Sequence, residues 1–208
     1  MRILALDTCL PACSAAVLDR NDVLASASES MVKGHQERLA TMVREVMQAA
    51  GLSFGDLDRI GVTVGPGSFT GLRVGVAFAK GLSAALGLPC VGVGTLEALA
   101  GDESGVAAAV IDAKRGQVYL QVFEDGRALM APDALPVEIA AARLVEFRPS
   151  TLIGSGAPLL APVLPDATVK LNLTPDPAVI ARLAAKVRSP APPKPLYLRA
   201  PDAKRPAA

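Results

Sequence analysis

The stretch Gly65-Pro66-Gly67-Ser68-Phe69-Thr70-Gly71 comes nearest to site chemistry in this sequence, because a glycine-bent loop leads there into a helix start. A helix N-terminus behind such a loop can hold an anion on its free N–H groups. The lysine and hydroxyl spacing of a nucleotide P-loop is absent, however, and Ser68 serves equally well as the N-cap of the helix. Nucleophilic catalysis needs a base beside a serine or cysteine, and the sole histidine, His35, falls on a different element. Cys9 and Cys13 are not spaced as a redox or zinc pair, and no second pair exists. Asp112, followed by Lys114 and Arg115, reads either as a charged cluster or as a turn between strands. Gly154-Ser155-Gly156 reads either as a close approach to a ligand such as an adenosine or as a plain turn.

The elements that must position these residues follow from periodicity. Residues 60–64 form a short buried strand, Pro66 and Gly67 turn the chain, and a helix runs over 68–86. Within that helix Gly71, Gly75, Ala79 and Ser83 recur every four residues, leaving one face without bulky side chains that another helix backbone could approach. Each interior glycine costs about 0.5–1 kcal/mol against alanine, so the arrangement needs a compensating contact. Upstream, residues 2–7, 12–18 and 23–29 read as a three-stranded meander with its turn at Asp19-Arg20-Asn21-Asp22. Leu39, Met42, Val43, Val46, Met47 and Ala50 then set an apolar stripe on a helix over 35–50, ended by Gly51. A strand at 90–93 and a short helix from Thr95 close the first half.

The order then starts again, with strands at 106–112, 117–123 and 128–130, a helix over 137–147, a strand at 151–153 and a last helix over 176–187. An internal repeat of this kind predicts an α/β protein with mixed sheets carrying helices on their faces. The expected units are an N-terminal lobe over 1–103, an abbreviated C-terminal lobe over 104–188 and a proline-rich extended tail over 189–208 around Leu196-Tyr197-Leu198.

Composition removes several function classes. The chain has 208 residues, 51% of them hydrophobic, which suits a sizeable core and excludes general disorder. Its net charge of +1 gives no electrostatic footprint for binding nucleic acid unaided, and 3% aromatic residues with no tryptophan give no stacking platform for RNA. Three cysteines without a secretory signal fit a reducing cytoplasm. Arg73 and Lys80 interrupt the most apolar helix, so no membrane span is expected.

The duplicated meander with an aspartate ending the first strand of each copy resembles the actin, hexokinase and heat-shock-protein ATPase (ASKHA) superfamily, an actin-like or RNase H-like fold. Five motifs narrow the likeness to the bacterial TsaB (YeaZ) family: Ile3-Leu4-Ala5-Leu6-Asp7-Thr8, His35-Gln36-Glu37-Arg38-Leu39, the glycine-rich block from Gly65 to Gly75, the run from Val110 to Tyr119, and Pro195-Leu196-Tyr197-Leu198-Arg199. The resemblance implies a part in making threonylcarbamoyladenosine (t6A) in tRNA, beside a catalytic paralogue, TsaD, and an ATPase, TsaE. It also implies that the paralogue holds a metal partly by two histidines four residues apart on the helix matching 35–50. Here Leu39 stands where the second histidine would be, so that site cannot be assembled, and a metalloprotease fails on the same count.

By the same resemblance Asp7, with Thr8, Asp112, Gly154 and Gly156, marks a vestigial nucleotide cleft, in which Asp7 could orient a magnesium-bound water. Two departures count against its use: the hairpin after Asp7 has no glycine, and Pro11 has no N–H for a phosphate. No cofactor is then required by this chain, with ATP entering only in a complex. The expected role is a non-catalytic scaffold whose helices over 35–50 and 68–86 bundle with those of a TsaD-like subunit or of a second copy, meeting tRNA only indirectly. The expected interface comprises His35, Leu39, Met42, Val43, Val46, Phe69, Gly71, Leu72, Gly75, Val76 and Ala79, and Gly75→Leu is expected to abolish partner binding while sparing the fold. The alternatives are a small ATP-dependent kinase or ATPase working through Asp7 and Asp112, and a stand-alone dimeric interaction protein.

Overall fold

Alternation along the first strand decides the layers. In β1 (Arg2–Asp7), Leu4 and Leu6 belong to one apolar cluster and Ile3 and Ala5 to another, and all four are buried, so the strand needs cover on both faces. The computed structural model, which describes residues 1–199, supplies that cover from helices. β2 (Ala12–Asp19) and β3 (Asp22–Ser30) continue β1 as an antiparallel meander. β4 (Arg59–Thr63) and β5 (Cys90–Val93) add in parallel on its other side, giving the order β3-β2-β1-β4-β5. α1 (His35–Ala49) and α2 (Phe69–Leu86) lie on the Leu4–Leu6 face.

The second half repeats the plan. β6 (Val106–Lys114) and β7 (Gln117–Glu124) form a hairpin extended by β8 (Arg127–Ala128), while β9 (Asp133–Pro136) pairs with the other end of β7. After α4 (Val137–Phe147), β10 (Thr151–Ile153) and β11 (Thr168–Lys170) add in parallel beyond β6, and the one-turn α5 (Ala157–Leu160) lies between them in sequence. The order β11-β10-β6-β7-β8 matches the first sheet read outward from its first strand: hairpin neighbours on one side, parallel neighbours on the other. The repeat read from the sequence is therefore real. β9, β11 and α5 had no periodic signal, being four residues or fewer.

Between the halves, α3 (Thr95–Ala100) is shared. Ala98 packs against Val91 and Val93 of the first sheet, while Leu96, Leu99 and Ala100 pack against Ala109, Ile111 and Phe123 of the second. α6 (Pro177–Lys186) corrects the lobe boundary expected at 188, because it covers Ile3, Ala5, Ala16 and Leu18 of the first sheet. Its face of Ala178, Ala181 and Ala184 is thin enough to lie flat on those strands. Gly61 makes room as well, since a Cβ there would stand 2.8 Å from that of Ala184. Arg59 of β4 closes the helix end by donating to the carbonyls of Ala184 and Val187 at 2.5 and 2.8 Å. Residues 189–199 then run without regular structure along the first lobe, and the rest of the expected tail, 200–208, lies outside the described residues. Among the described residues no helix is long and apolar enough to cross a membrane.

The glycine-bearing face of α2 is already occupied. A Cβ on Gly71 would run into the Thr8 carbonyl oxygen, one on Gly75 would run into the Thr8 hydroxyl, and that hydroxyl donates to the Gly71 carbonyl at 2.7 Å. Leu72, Val76 and Ala79 on the same helix, and Leu39, Met42, Val43 and Val46 on α1, are buried in the lobe's own core. Of the expected interface residues, these seven and the two glycines therefore face inward and cannot reach a partner with their side chains. The apolar stripe was real, but it serves the sheet beneath, where burying each large side chain is worth about 1.5–3 kcal/mol. The compensating contact for the glycines is internal too, so Gly75→Leu should cost about 3 kcal/mol of folding stability rather than spare the fold, as urea unfolding of the purified variant would measure.

Candidate functional site

Asp7 and Thr8, at the end of β1, are sealed inside the protein. Asp7 Oδ1 accepts from the Cys9 N–H at 3.0 Å and from the Thr63 hydroxyl at 2.5 Å, while Oδ2 is buried without a partner. Burial raises this carboxyl from 3.8 to about 6, against the lowering effect of the Thr63 and Cys9 hydrogen bonds and of the nearby His35. Burial likewise pushes the Cys9 thiol up to about 12 and those of Cys13 and Cys90 up to about 11, so none supplies a thiolate at neutral pH.

Near Asp7, residues of both lobes line an open cleft of about 270 Å³. Its first wall carries Cys9, Pro11, His35 and Ser68, and its second Ile111, Asp112 and Tyr119. His35 is the first residue of α1 and is buried, with Nε2 unpartnered, so it lies at the cleft wall rather than on an open helix face. Asp112 accepts from the Lys114 backbone N–H and from Lys114 Nζ at 2.8 and 2.7 Å, and the Lys114 side chain holds its carboxyl below the usual carboxylate range. The charged cluster and the turn are thus one feature, with Lys114, Arg115 and Gly116 all at positive φ. Gly154 and Gly156 fold back on their own lobe: a Cβ on Gly154 would strike the Val110 carbonyl, and Gly156 N–H donates to that same oxygen at 3.0 Å.

The structure gathers the residues of the nucleotide cleft into two groups: Asp7 and Thr8 sealed in the first lobe, and Asp112 beside the turn at 154–156, its N–H donating to the Ser155 hydroxyl at 3.1 Å. Asp7 lies behind the wall, Asp112 is held by Lys114, and the glycines lie against β6. Among the described residues no three His, Cys, Asp or Glu side chains approach closely enough to hold a metal. These residues do not fit a magnesium nucleotide.

What the first lobe does present is the outer side of α2. Ser68 caps the helix by accepting from the Gly71 N–H, and Phe69, Thr70, Arg73, Ala77, Lys80, Gly81, Ala84 and Ala85 are exposed, with Val74 and Phe78 partly so. Gly81 differs from Gly71 and Gly75, since a Cβ built on it would meet nothing within 4 Å. Of these outward residues the expected interface held only Phe69, because the stronger signal, the four-residue glycine period, marked the inner face.

Two sheets of one strand order, packed about a shared helix and each begun by a meander, define a duplicated ASKHA-type, actin-like α/β protein. Comparisons with known proteins narrow the class. A family model for TsaD, tRNA N6-adenosine threonylcarbamoyltransferase, matches residues 22–149. An uncharacterized protein of Mycobacterium tuberculosis is 37% identical over 97% of this chain and 93% of its own length. TsaB of Escherichia coli, a tRNA threonylcarbamoyladenosine biosynthesis protein, is 39% identical over 60% of this chain and 55% of its own length. The solved structure of YeaZ from Pseudomonas aeruginosa superposes with a TM-score of 0.76, at 26% identity, over 95% of this chain and 99% of that one. The chain belongs to the TsaB (YeaZ) family.

The buried carboxylate gives this site a measurable signature. Asp7 binds its proton more tightly folded than unfolded, so its contribution to stability is fully present below about pH 4 and is lost as pH rises through about 6. A shift of this size corresponds to roughly 3 kcal/mol. Asp7→Asn should therefore be more stable than the native chain at pH 7.5 and should lack its decline between pH 4 and 6, as urea unfolding across that range would measure.

Proposed function

We propose that this chain is a non-catalytic accessory subunit in the formation of threonylcarbamoyladenosine in tRNA, docking a TsaD-like catalytic subunit through the outward face of α2 and the neighbouring edge of α1, with a TsaE-like ATPase as the third component. The observation that carries the reading is the enclosure of Asp7: the carboxylate that ends the first strand is bonded to Thr63 and the Cys9 N–H and takes no part in the cleft wall. With one histidine in the chain and raised thiol pKa values, the side chains available for chemistry are spent on structure. The role in t6A follows the names of the TsaB relatives, and the choice of partner follows the likeness of residues 22–149 to the TsaD family model, since a paralogue would carry a comparable pair of helices. In this proposal any ATP is held in the complex and tRNA is met only through it.

The docking face is supported by Gly81. A mid-helix glycine costs about 0.5–1 kcal/mol against alanine, and this one has no intramolecular contact to offset it. Flanked by Ala77, Ala84 and Ala85, it would let a second helix approach closely, with Phe78 and Phe69 as larger contacts alongside. The same patch could serve a two-fold contact with a second copy, which a titration would reveal as competition between self-association and the TsaD-like subunit.

Two measurements test the proposal. Unmodified tRNA incubated with TsaD, TsaE, threonylcarbamoyl-adenylate and ATP should yield modified nucleoside, quantified by mass spectrometry, only when this chain is added, and Asp7→Asn should support the same yield. Equal product without the chain would refute the t6A role. Gly81→Leu should raise folding stability by up to about 1 kcal/mol but weaken association with the TsaD-like subunit at least tenfold by calorimetry; a folded variant that still binds would refute the docking face.

A further inference from the structure

Both large side chains that α2 offers at its outward N-terminal end are already engaged by the chain's own C-terminal segment. The Tyr197 ring stacks on Phe69, with centroids 5.4 Å apart and planes at 37°, and the Arg73 guanidinium lies over the same Phe69 ring, 3.7 Å from its centroid. Arg73 Nε also donates to the Tyr197 hydroxyl at 3.1 Å, which closes a three-member cluster. The segment is held at three further points. Pro193 is buried beside Gly92, Leu196 N–H donates to the Val64 carbonyl at 2.7 Å, and Arg199 donates to the Ala113 carbonyl on the second lobe at 2.8 Å. Gly65 allows this path, because a Cβ there would stand 2.8 Å from the Leu196 carbonyl oxygen.

The anchors differ in kind. Leu196 and Arg199 bond to backbone carbonyls away from the outward helix face, whereas Tyr197 alone lies on that face, half exposed, as is the Phe69 ring beneath it. Aromatic and arginine side chains are the residues that most often anchor protein interfaces, and here they satisfy one another within a single chain. We infer that residues 193–199 form an intramolecular strap whose Tyr197 masks the Phe69–Arg73 end of the docking face, so that a partner helix must displace this ring to engage the full length of α2. This regulation rests on the docking proposed above. Its occupant is that same partner helix, and the tail competes with it for Phe69 and Arg73.

The chain has two tyrosines, so in a Tyr119→Phe variant labelled with 3-fluorotyrosine the one fluorine resonance reports on Tyr197. In the free chain the double change Phe69→Ala and Arg73→Ala, which removes both of its partners on α2, should move that resonance toward the position of a solvent-exposed tyrosine; if it stays where it was, the ring does not rest on α2 and the inference fails. Tyr197→Ala, which leaves the backbone anchors in place, should tighten association with the TsaD-like subunit about tenfold, as when the competent fraction rises from roughly one molecule in ten to nearly all. Unchanged affinity with measurable binding would overturn the mask alone and leave the docking face standing. Weaker binding would also overturn it, by making Tyr197 a contact instead of a competitor. No binding by either protein would overturn the docking reading and, with it, the mask.

Discussion

The seat of Thr8 on the two glycines of α2 is the contact on which the arrangement of the first lobe depends. One residue beyond β1, Thr8 places its carbonyl against Gly71 and its hydroxyl against Gly75, and donates to the Gly71 carbonyl. Cys9, the next residue, accepts from Ser68 N–H at 2.7 Å and donates to Asp7. The end of the first strand and the start of α2 are thereby joined over two consecutive residues, Thr8 and Cys9. With α2 fixed at this depth, α1 fills the rest of the same sheet face, and which residues of either helix remain outside follows from that placement. A methyl group at either glycine would lift the helix off its sheet, since interiors this densely packed absorb added volume only by shifting neighbours.

That close seat also sets the surroundings of Asp7. Drawing β1 against α2 encloses Asp7 along with Thr8, and a carboxylate without water gains a proton more readily than it serves a cation. Both residues are thereby part of the packing, while the side of α2 that the sheet does not use stays at the surface.

Much of this was legible in the sequence, and the failures share one cause. The meanders, the parallel strands and the long helices followed from periodicity, because each buries a regular set of side chains, as with Leu39, Met42, Val43 and Val46 along α1. Periodicity says that a face is buried and leaves open against what, so the stripe of α1 and the glycines of α2 were assigned to a partner when the cover was the chain's own sheet and Thr8. α6 was placed with the wrong lobe for a related reason: its small face fits Gly61 and Ala5, residues more than a hundred positions away in sequence. Gly81 falls outside the four-residue row of Gly71, Gly75, Ala79 and Ser83, and only its empty surroundings bring it to notice.

The sharing of α3 has a mechanical consequence. Leu96 and Leu99 are gripped by the second sheet while Ala98, between them, lies on the first, and the helix is six residues long. The two grips are unequal: rotating one sheet against the other would slide Ala98 off Val91 and Val93 before it freed Leu96, Leu99 and Ala100. The short helix would then travel with the second lobe, leaving the first to slip along its alanine side.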